Sequence, residues 1–343
     1  MDDRATEVTP DAQPTPDDAH GEGPADPADA AADRPVLDGA DAARDTESEA
    51  HPDLPAEAAD EEPHGEGDGP AGETRAQRRA RRDSLLHEPV LPALATVPRP
   101  VSVGATVVLA ALLGLAVLAD PVVLAAGLAW AGIVLAWGWP TLHGSSSRFG
   151  SSLAIGVTAV LAPAAAALAP DEPYLRFVPV TVVIGLAVMF VHQMVRRDGR
   201  PRLTDSIAVT SFALAAVTVG TAWVPLTRSE RAADLAVVAF AAIAASALAD
   251  LVAGLDRVRP WMLPLAMLLG GLAGLGAAAA LGGPDTGPAA LTGFLVAAVA
   301  HAMRRTLSAL PAVGSFRAQL AAAASSLLVP GVVVYVLSLA LVG

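Results

Sequence analysis

The 343-residue chain has no cysteine and no lysine, and only 4% of it is aromatic. Without cysteine, a disulfide scaffold and any thiol nucleophile are excluded. Without lysine, Schiff-base and lysine general-base chemistry are excluded. All 22 cationic side chains are arginine. Beside the alanine excess, that uniformity reads as GC-rich codon bias rather than a chemical demand for guanidinium. What the chain does have is apolar surface. Hydrophobic residues make up 53% and the mean hydropathy is +0.49, too high for an ordinary soluble domain. A formal charge of −13 sits oddly beside these values.

Dividing the chain near Arg99 resolves the conflict. Residues 1–74 hold 23 acids against Arg4, Arg34 and Arg44, a net of −20. Residues 100–343 hold 10 acids against 13 arginines, a net of +3. The acidic segment is built from Asp, Glu, Ala, Pro and Gly. Its few large apolar residues (Val8, Val36, Leu37, Leu54) cannot offset the entropy of ordering, so residues 1–74 are expected to be a disordered tail. No basic stretch leads into an apolar one there, so the tail does not read as a secretory signal.

Residues 75–99 form a basic juxtamembrane segment. Arg75, Arg78, Arg79, Arg81 and Arg82 fall within eight residues. Such a cluster is attracted to anionic headgroups by about 1 kcal/mol per residue, so anionic membrane lipids are the expected partner. Nothing aromatic or sheet-like accompanies the arginines, and nucleic acid is not expected.

From Val101 onward the chain is a series of apolar runs of about the 20 residues that cross ~30 Å of hydrocarbon. Nine are counted: 101–119, 121–139, 151–169, 175–195, 204–224, 233–253, 261–281, 287–304 and 319–341. Loop signals separate them, including Asp120-Pro121, Pro170-Asp-Glu-Pro173 and Gly282-Gly-Pro-Asp-Thr-Gly-Pro288. The serine run Ser145–Ser147, bounded by Gly144 and Gly150, reads as a flexible loop. Gly270 and Gly274 form a small-xxx-small pair suited to close helix approach. The expected fold is all-α: a transmembrane bundle of residues 100–343 with about nine spans.

Loop arginines set the orientation. With the N-terminus inside, inner loops carry ten (148, 196, 197, 200, 202, 257, 259, 304, 305 and 317) and outer loops carry Arg176, Arg228 and Arg231. Positive flanks stay in the cytoplasm. The expectation is a multi-pass protein of the plasma (inner) membrane, with a cytoplasmic N-terminus and an external C-terminus.

Ionisable residues inside a span are functional candidates because they are expensive without a partner. Asp250 lies near the inner end of the sixth span, and His301, Arg304 and Arg305 end the eighth. His192 closes the fourth and Asp205 opens the fifth. One reading is a set of helix-end residues wetted by the interface. The other is a shared cytoplasmic-side cavity that holds an anionic headgroup or phosphate through bidentate arginine contacts. There is no Walker loop, no paired histidine at zinc spacing and no nucleophile elbow.

Three stretches carry a resemblance. They are Arg196-Arg-Asp-Gly-Arg-Pro-Arg-Leu-Thr-Asp-Ser-Ile-Ala-Val-Thr210, Ser246-Ala-Leu-Ala-Asp-Leu-Val-Ala-Gly254, and Arg304-Arg305 followed by Leu310-Pro-Ala-Val-Gly-Ser-Phe-Arg-Ala-Gln-Leu320. In their order and hydropathy residues 100–343 resemble the phosphatidate cytidylyltransferase (CDP-diacylglycerol synthase) family. Those polytopic enzymes join phosphatidic acid to CTP with a divalent metal. The resemblance makes Asp250 the aspartate of the family's serine-aspartate pair, with Ala249 in the serine position. It keeps Arg305, Pro311, Gly314 and Arg317 of the family signature, but the signature histidine and both aspartates are absent. Metal-assisted nucleotide transfer needs carboxylates to hold the ion. The resemblance therefore implies a non-catalytic relative with no cofactor, with Mg²⁺ needed only if transferase activity is retained. Two alternatives stay open: a small-molecule transporter or permease, and an active transferase with displaced ligands.

Overall fold

The computed structural model describes residues 97–197, 199 and 202–341, together with Thr74, Ala76, Gln77 and Arg79. The acidic tail and Arg75, Arg78, Arg81 and Arg82 lie outside the described residues, while Arg79 is helical and exposed.

Every described element is helical, and nine helical stretches are long and apolar enough to cross a membrane. The helices are α1 (Pro100–Ala119), α2 (Pro121–Leu142), α3 (Arg148–Ala167), α4 (Val178–Val195) and α5 (Leu203–Gly220). A short α6 (Trp223–Leu226) follows, then α7 (Glu230–Ala249), α8 (Met262–Leu281), α9 (Thr286–Ser308), α10 (Phe316–Leu328) and α11 (Gly331–Leu341). The fifth span is α5 with α6, and the ninth is α10 with α11.

Local chemistry sets the ends. Asp120 accepts a hydrogen bond from the Val122 N–H at 2.7 Å, and Pro121 occupies the first turn of α2, where its missing N–H is harmless. One residue thus ends α1 and caps α2 as a hairpin. Gly282 closes α8 with φ +62°, a conformation that a side chain would strain.

Two groups of helices flank a shared centre. α2 packs on α3, α3 on α4 and α5, while α7, α8 and α9 pack on one another. Between the groups, α1 lies on α7, and α10 touches α1, α2, α5 and α9. Of the long helices α10 is the most enclosed, with Ala318 and the whole run Ala321–Leu328 buried. Small residues make that possible. A Cβ at Gly138 of α2 would overlap the Arg317 carbonyl, so α2 and α10 meet backbone to backbone. The Gly270 pair is used in the same way within the chain. A Cβ there would overlap Ala297 of α9 and fall 2.9 Å from the Gly293 carbonyl.

The radial pattern is that of a protein in lipid. Alanines fill the interior, while Leu112, Leu115, Trp130, Phe190 and Leu272 face outward, each about half exposed or more. Water would penalise such a surface, and hydrocarbon does not.

Two spans are interrupted. Pro225 has no N–H for the Thr221 carbonyl, which accepts from Val224 N instead at 3.0 Å. Pro330 likewise cannot extend α10. The Leu327 carbonyl beside that break accepts from Trp223 Nε1 at 3.0 Å. A Cβ at Gly331 would sit 2.7 Å from Trp223 Nε1, and one at Gly220 would sit 2.9 Å from Leu328 Cβ. The two breaks are therefore packed against each other. Pro163, which also reads as an interruption, lies within an unbroken α3, and Pro179 and Pro264 lie in first turns.

Candidate functional site

Helical spacing assembles the site. Ser246 and Asp250 are four residues apart at the end of α7, so they share one face; His301 and Arg304 are three apart on α9 and share another. α7 packs on α9 and the faces meet. Arg304 Nε donates to Asp250 Oδ2 at 2.6 Å, and Arg304 Nη2 donates to Ser246 Oγ at 3.2 Å. His301 Nδ1 lies 3.0 Å from Asp250 Oδ1. The Ser246 hydroxyl in turn donates to the Ile243 carbonyl at 2.8 Å. His301 and Arg304 are buried, at 4% and 5% exposure. Among the described residues, none bonds the buried Arg304 Nη1.

A narrow cavity of ≈ 40 Å³ opens beside this cluster at the arginine-rich end. Asp250, Arg304 and Arg305 line it together with Arg99, Ser102 and Ser308. Its volume suits two or three waters. Three guanidiniums against one carboxylate leave the lining positive. Burial lowers the Arg99 guanidinium from its ordinary value. A desolvated cation of this kind gains most from an anionic neighbour.

Of the six residues expected in a shared cavity, Asp250, Arg304 and Arg305 line it and His301 lies beside Asp250. The other two do not line it. Asp205 is exposed and pairs with Arg202 one turn away at 2.8 Å. His192 packs against Gly150 and lies 6.0 Å from the Phe149 ring. Both belong to the neighbourhood of α3, α4 and α5, a separate group from α7–α9. Arg99 and Ser246 enter the site without being singled out by sequence. The four-residue spacing from Ser246 to Asp250 was the available signal.

A second polar cluster sits between the α2–α3 loop, the end of α4 and the start of α5. Ser145, Ser147, Ser151, Gln193, Ser206 and Thr210 are all buried. Gln193 Nε2 donates to Ser206 Oγ at 3.1 Å, and Thr210 Oγ1 donates to Ser151 Oγ at 2.7 Å. Ser145 Oγ donates to Ser206 Oγ at 3.4 Å. The serine run that reads as a flexible loop is thus tucked into the protein. Hydroxyls buried among helices are held by bonding one another, which pins the loop.

The chain matches no protein-family model, no curated protein and no solved structure.

Proposed function

We propose that the chain is a multi-pass protein of the plasma membrane that binds an anionic lipid headgroup at its arginine-rich end. On this reading the N-terminus and the arginine-rich end are cytoplasmic, and the C-terminus is external. The ten-to-three arginine asymmetry supports that orientation. The observation that carries the binding role is the buried Arg304, whose Nη1 has no hydrogen-bond partner among the described residues, in a cavity lined by two further guanidiniums. A phosphate oxygen supplies the acceptor such a group lacks. The cavity is too small to enclose a nucleotide, so the headgroup docks at its mouth with acyl chains in the bilayer.

The non-catalytic side of the proposal rests on Asp250. A hard divalent cation needs several oxygen ligands. Here the single carboxylate has one oxygen on Arg304 and the other beside His301, with positive side chains around it. Mg²⁺ does not fit that donor set. A non-catalytic relative of lipid-nucleotide transferases is consistent with this arrangement.

The test compares lipid binding in nanodiscs of phosphatidylcholine with and without phosphatidylglycerol. The intact chain should retain phosphatidylglycerol preferentially, and Arg305→Gln should weaken that preference roughly 5-fold or more. Asp205→Asn, remote from the cavity, should leave it unchanged. Equal retention of both lipids, or an unaffected Arg305→Gln protein, would reject the reading. Reporter fusions after Gly199 and Arg259 should read cytoplasmic, and fusions after Glu172 and Asp285 should read external. The reverse pattern would overturn the orientation.

A further inference from the structure

The end opposite the arginine-rich one holds a much larger cavity, ≈ 480 Å³, that the headgroup proposal does not use. Its walls are built from the pieces beyond the two helix breaks. Pro225 and Leu226 come from α6, and Tyr335, Ser338 and Leu339 come from α11. Glu172, Tyr174 and Arg228 complete it from neighbouring loops. Breaking a membrane helix frees backbone groups and is tolerated where protein or a water-filled space meets them. Here one freed carbonyl is met by Trp223, and the segments beyond the breaks line the space. In many secondary transporters discontinuous helices likewise surround the substrate site.

The polar lining is convergent. The chain has only two tyrosines, and both line this cavity. Among the described residues, no side chain bonds either hydroxyl. Arg228 is exposed yet held in place. Its guanidinium lies over the Tyr174 ring, 4.9 Å from the centroid, and its Nη2 donates to the Ala167 carbonyl at 2.7 Å. That leaves a fixed cation with further N–H donors, two tyrosines and the apolar Leu226 and Leu339 in the same lining, and one exposed carboxylate, Glu172. The carboxylate disfavours polyanions. The apolar wall disfavours small hydrated ions. A pocket of this volume with few convergent polar groups is the size that takes a small organic ligand.

We propose that this cavity is a binding site for an amphipathic monoanion. Its carboxylate or phosphate sits on Arg228 with the tyrosine hydroxyls, and its apolar part lies against Leu226 and Leu339. A soluble carboxylate and the headgroup end of an anionic lipid share this chemistry. The site is independent of the Asp250 cluster, at the other end of the bundle.

The absence of native cysteine gives a clean test. Ser338 is buried in the cavity wall, so Ser338→Cys places the only thiol of the full chain there. In nanodiscs, both ends are reachable from solution. The thiol is treated with an anionic (sulfonatoethyl) or a cationic (trimethylammonioethyl) methanethiosulfonate, each rate being divided by that of a free thiol. The anionic reagent should be favoured by about 5-fold or more, and Arg228→Gln should abolish the preference. Hexanoate should protect the thiol in phosphatidylcholine nanodiscs if the ligand is soluble, and phosphatidylglycerol should protect it if the ligand is a lipid. Tyr335→Phe keeps the shape of the wall and should weaken protection roughly 5-fold; it carries the test if Arg228→Gln does not fold. A thiol unreactive to both reagents, a preference for the cation, or protection by neither probe would overturn the proposal. Because Asp250 lies elsewhere, Asp250→Asn should leave all these rates unchanged, whatever it does to phosphatidylglycerol preference at the other end.

Discussion

The two ends of the bundle solve the same problem in opposite ways. At the arginine-rich end, charge is abundant and the space is small: Asp250 is held by Arg304 and His301, leaving ≈ 40 Å³. At the other end, charge is sparse and the space is twelve times larger, bounded by interrupted helices. Buried ions pull their elements together because an unpaired charge in low dielectric is so costly. Proline breaks act differently: each ends the regular hydrogen bonding of its span, and here the short segments beyond the two breaks border the larger cavity.

The largest expected effect tests the closure. Arg304→Met removes the closest cationic partner of the half-buried Asp250 and leaves His301 as its nearest neighbour of opposite charge, and should lower unfolding stability in detergent by about 3 kcal/mol. Arg228→Met, at the open end, removes an exposed cation and should lower it by about 1 kcal/mol or less. Equal losses would end the contrast between the two arginines.

Backbone contact comes next. Gly138→Val must displace the Arg317 carbonyl, which belongs to the central helix and has nowhere to go, so a loss of about 3 kcal/mol is expected. Gly104→Val meets nothing within 4 Å and should unfold close to the parent. If thermal melts do not separate these two variants, α2 and α10 are not in backbone contact.

At the open end, Trp223→Phe keeps most of the ring packed on Phe240, 4.1 Å away, but leaves the Leu327 carbonyl without its donor. A loss of about 1–2 kcal/mol is expected, with faster amide exchange confined to residues around the two breaks. Uniform exchange would show that the breaks are not coupled.

The smallest effect is a pH dependence at the closed end. His143, in the loop after α2, is half-buried against Trp139, and burial pushes its imidazole below the ordinary value while the Trp139 carbonyl partly opposes this. The folded state therefore resists protonation more than the unfolded chain does. Stability should be constant above about 6.5, fall as pH drops through that value, and level off below the lowered folded value. His143→Gln should flatten that step in a pH series of melts. A step that survives the substitution belongs to another group.

Much of this architecture was legible in one dimension. Apolar runs of membrane-crossing length, separated by Pro, Gly and charge, make helices whatever surrounds them, because in hydrocarbon every backbone group must be bonded within its own segment. Spacing even foreshadowed the site: Asp250 near one span's end and His301 and Arg304 near another's stood out because charge in such segments is rare. His192 and Asp205 stood out for the same reason yet joined other neighbours. Nothing local tells which helix a given face will meet. The serine run shows the converse, since Ser145 and Ser147 are unremarkable alone and buried only because α4 and α5 close over them.

The amino-acid sequence by itself determined that there are nine apolar helices, where they begin and end within a few residues, and which end of the bundle is rich in arginine. These follow from composition and period, quantities that each segment carries alone. The tertiary structure decided that α10 runs through the centre, that Asp250 meets Arg304 and not Arg202, and that the breaks at Pro225 and Pro330 lie against each other around a cavity. Each of those depends on contacts between segments far apart in the chain. Their energies come from matched surfaces, and a surface has no partner until the fold supplies one.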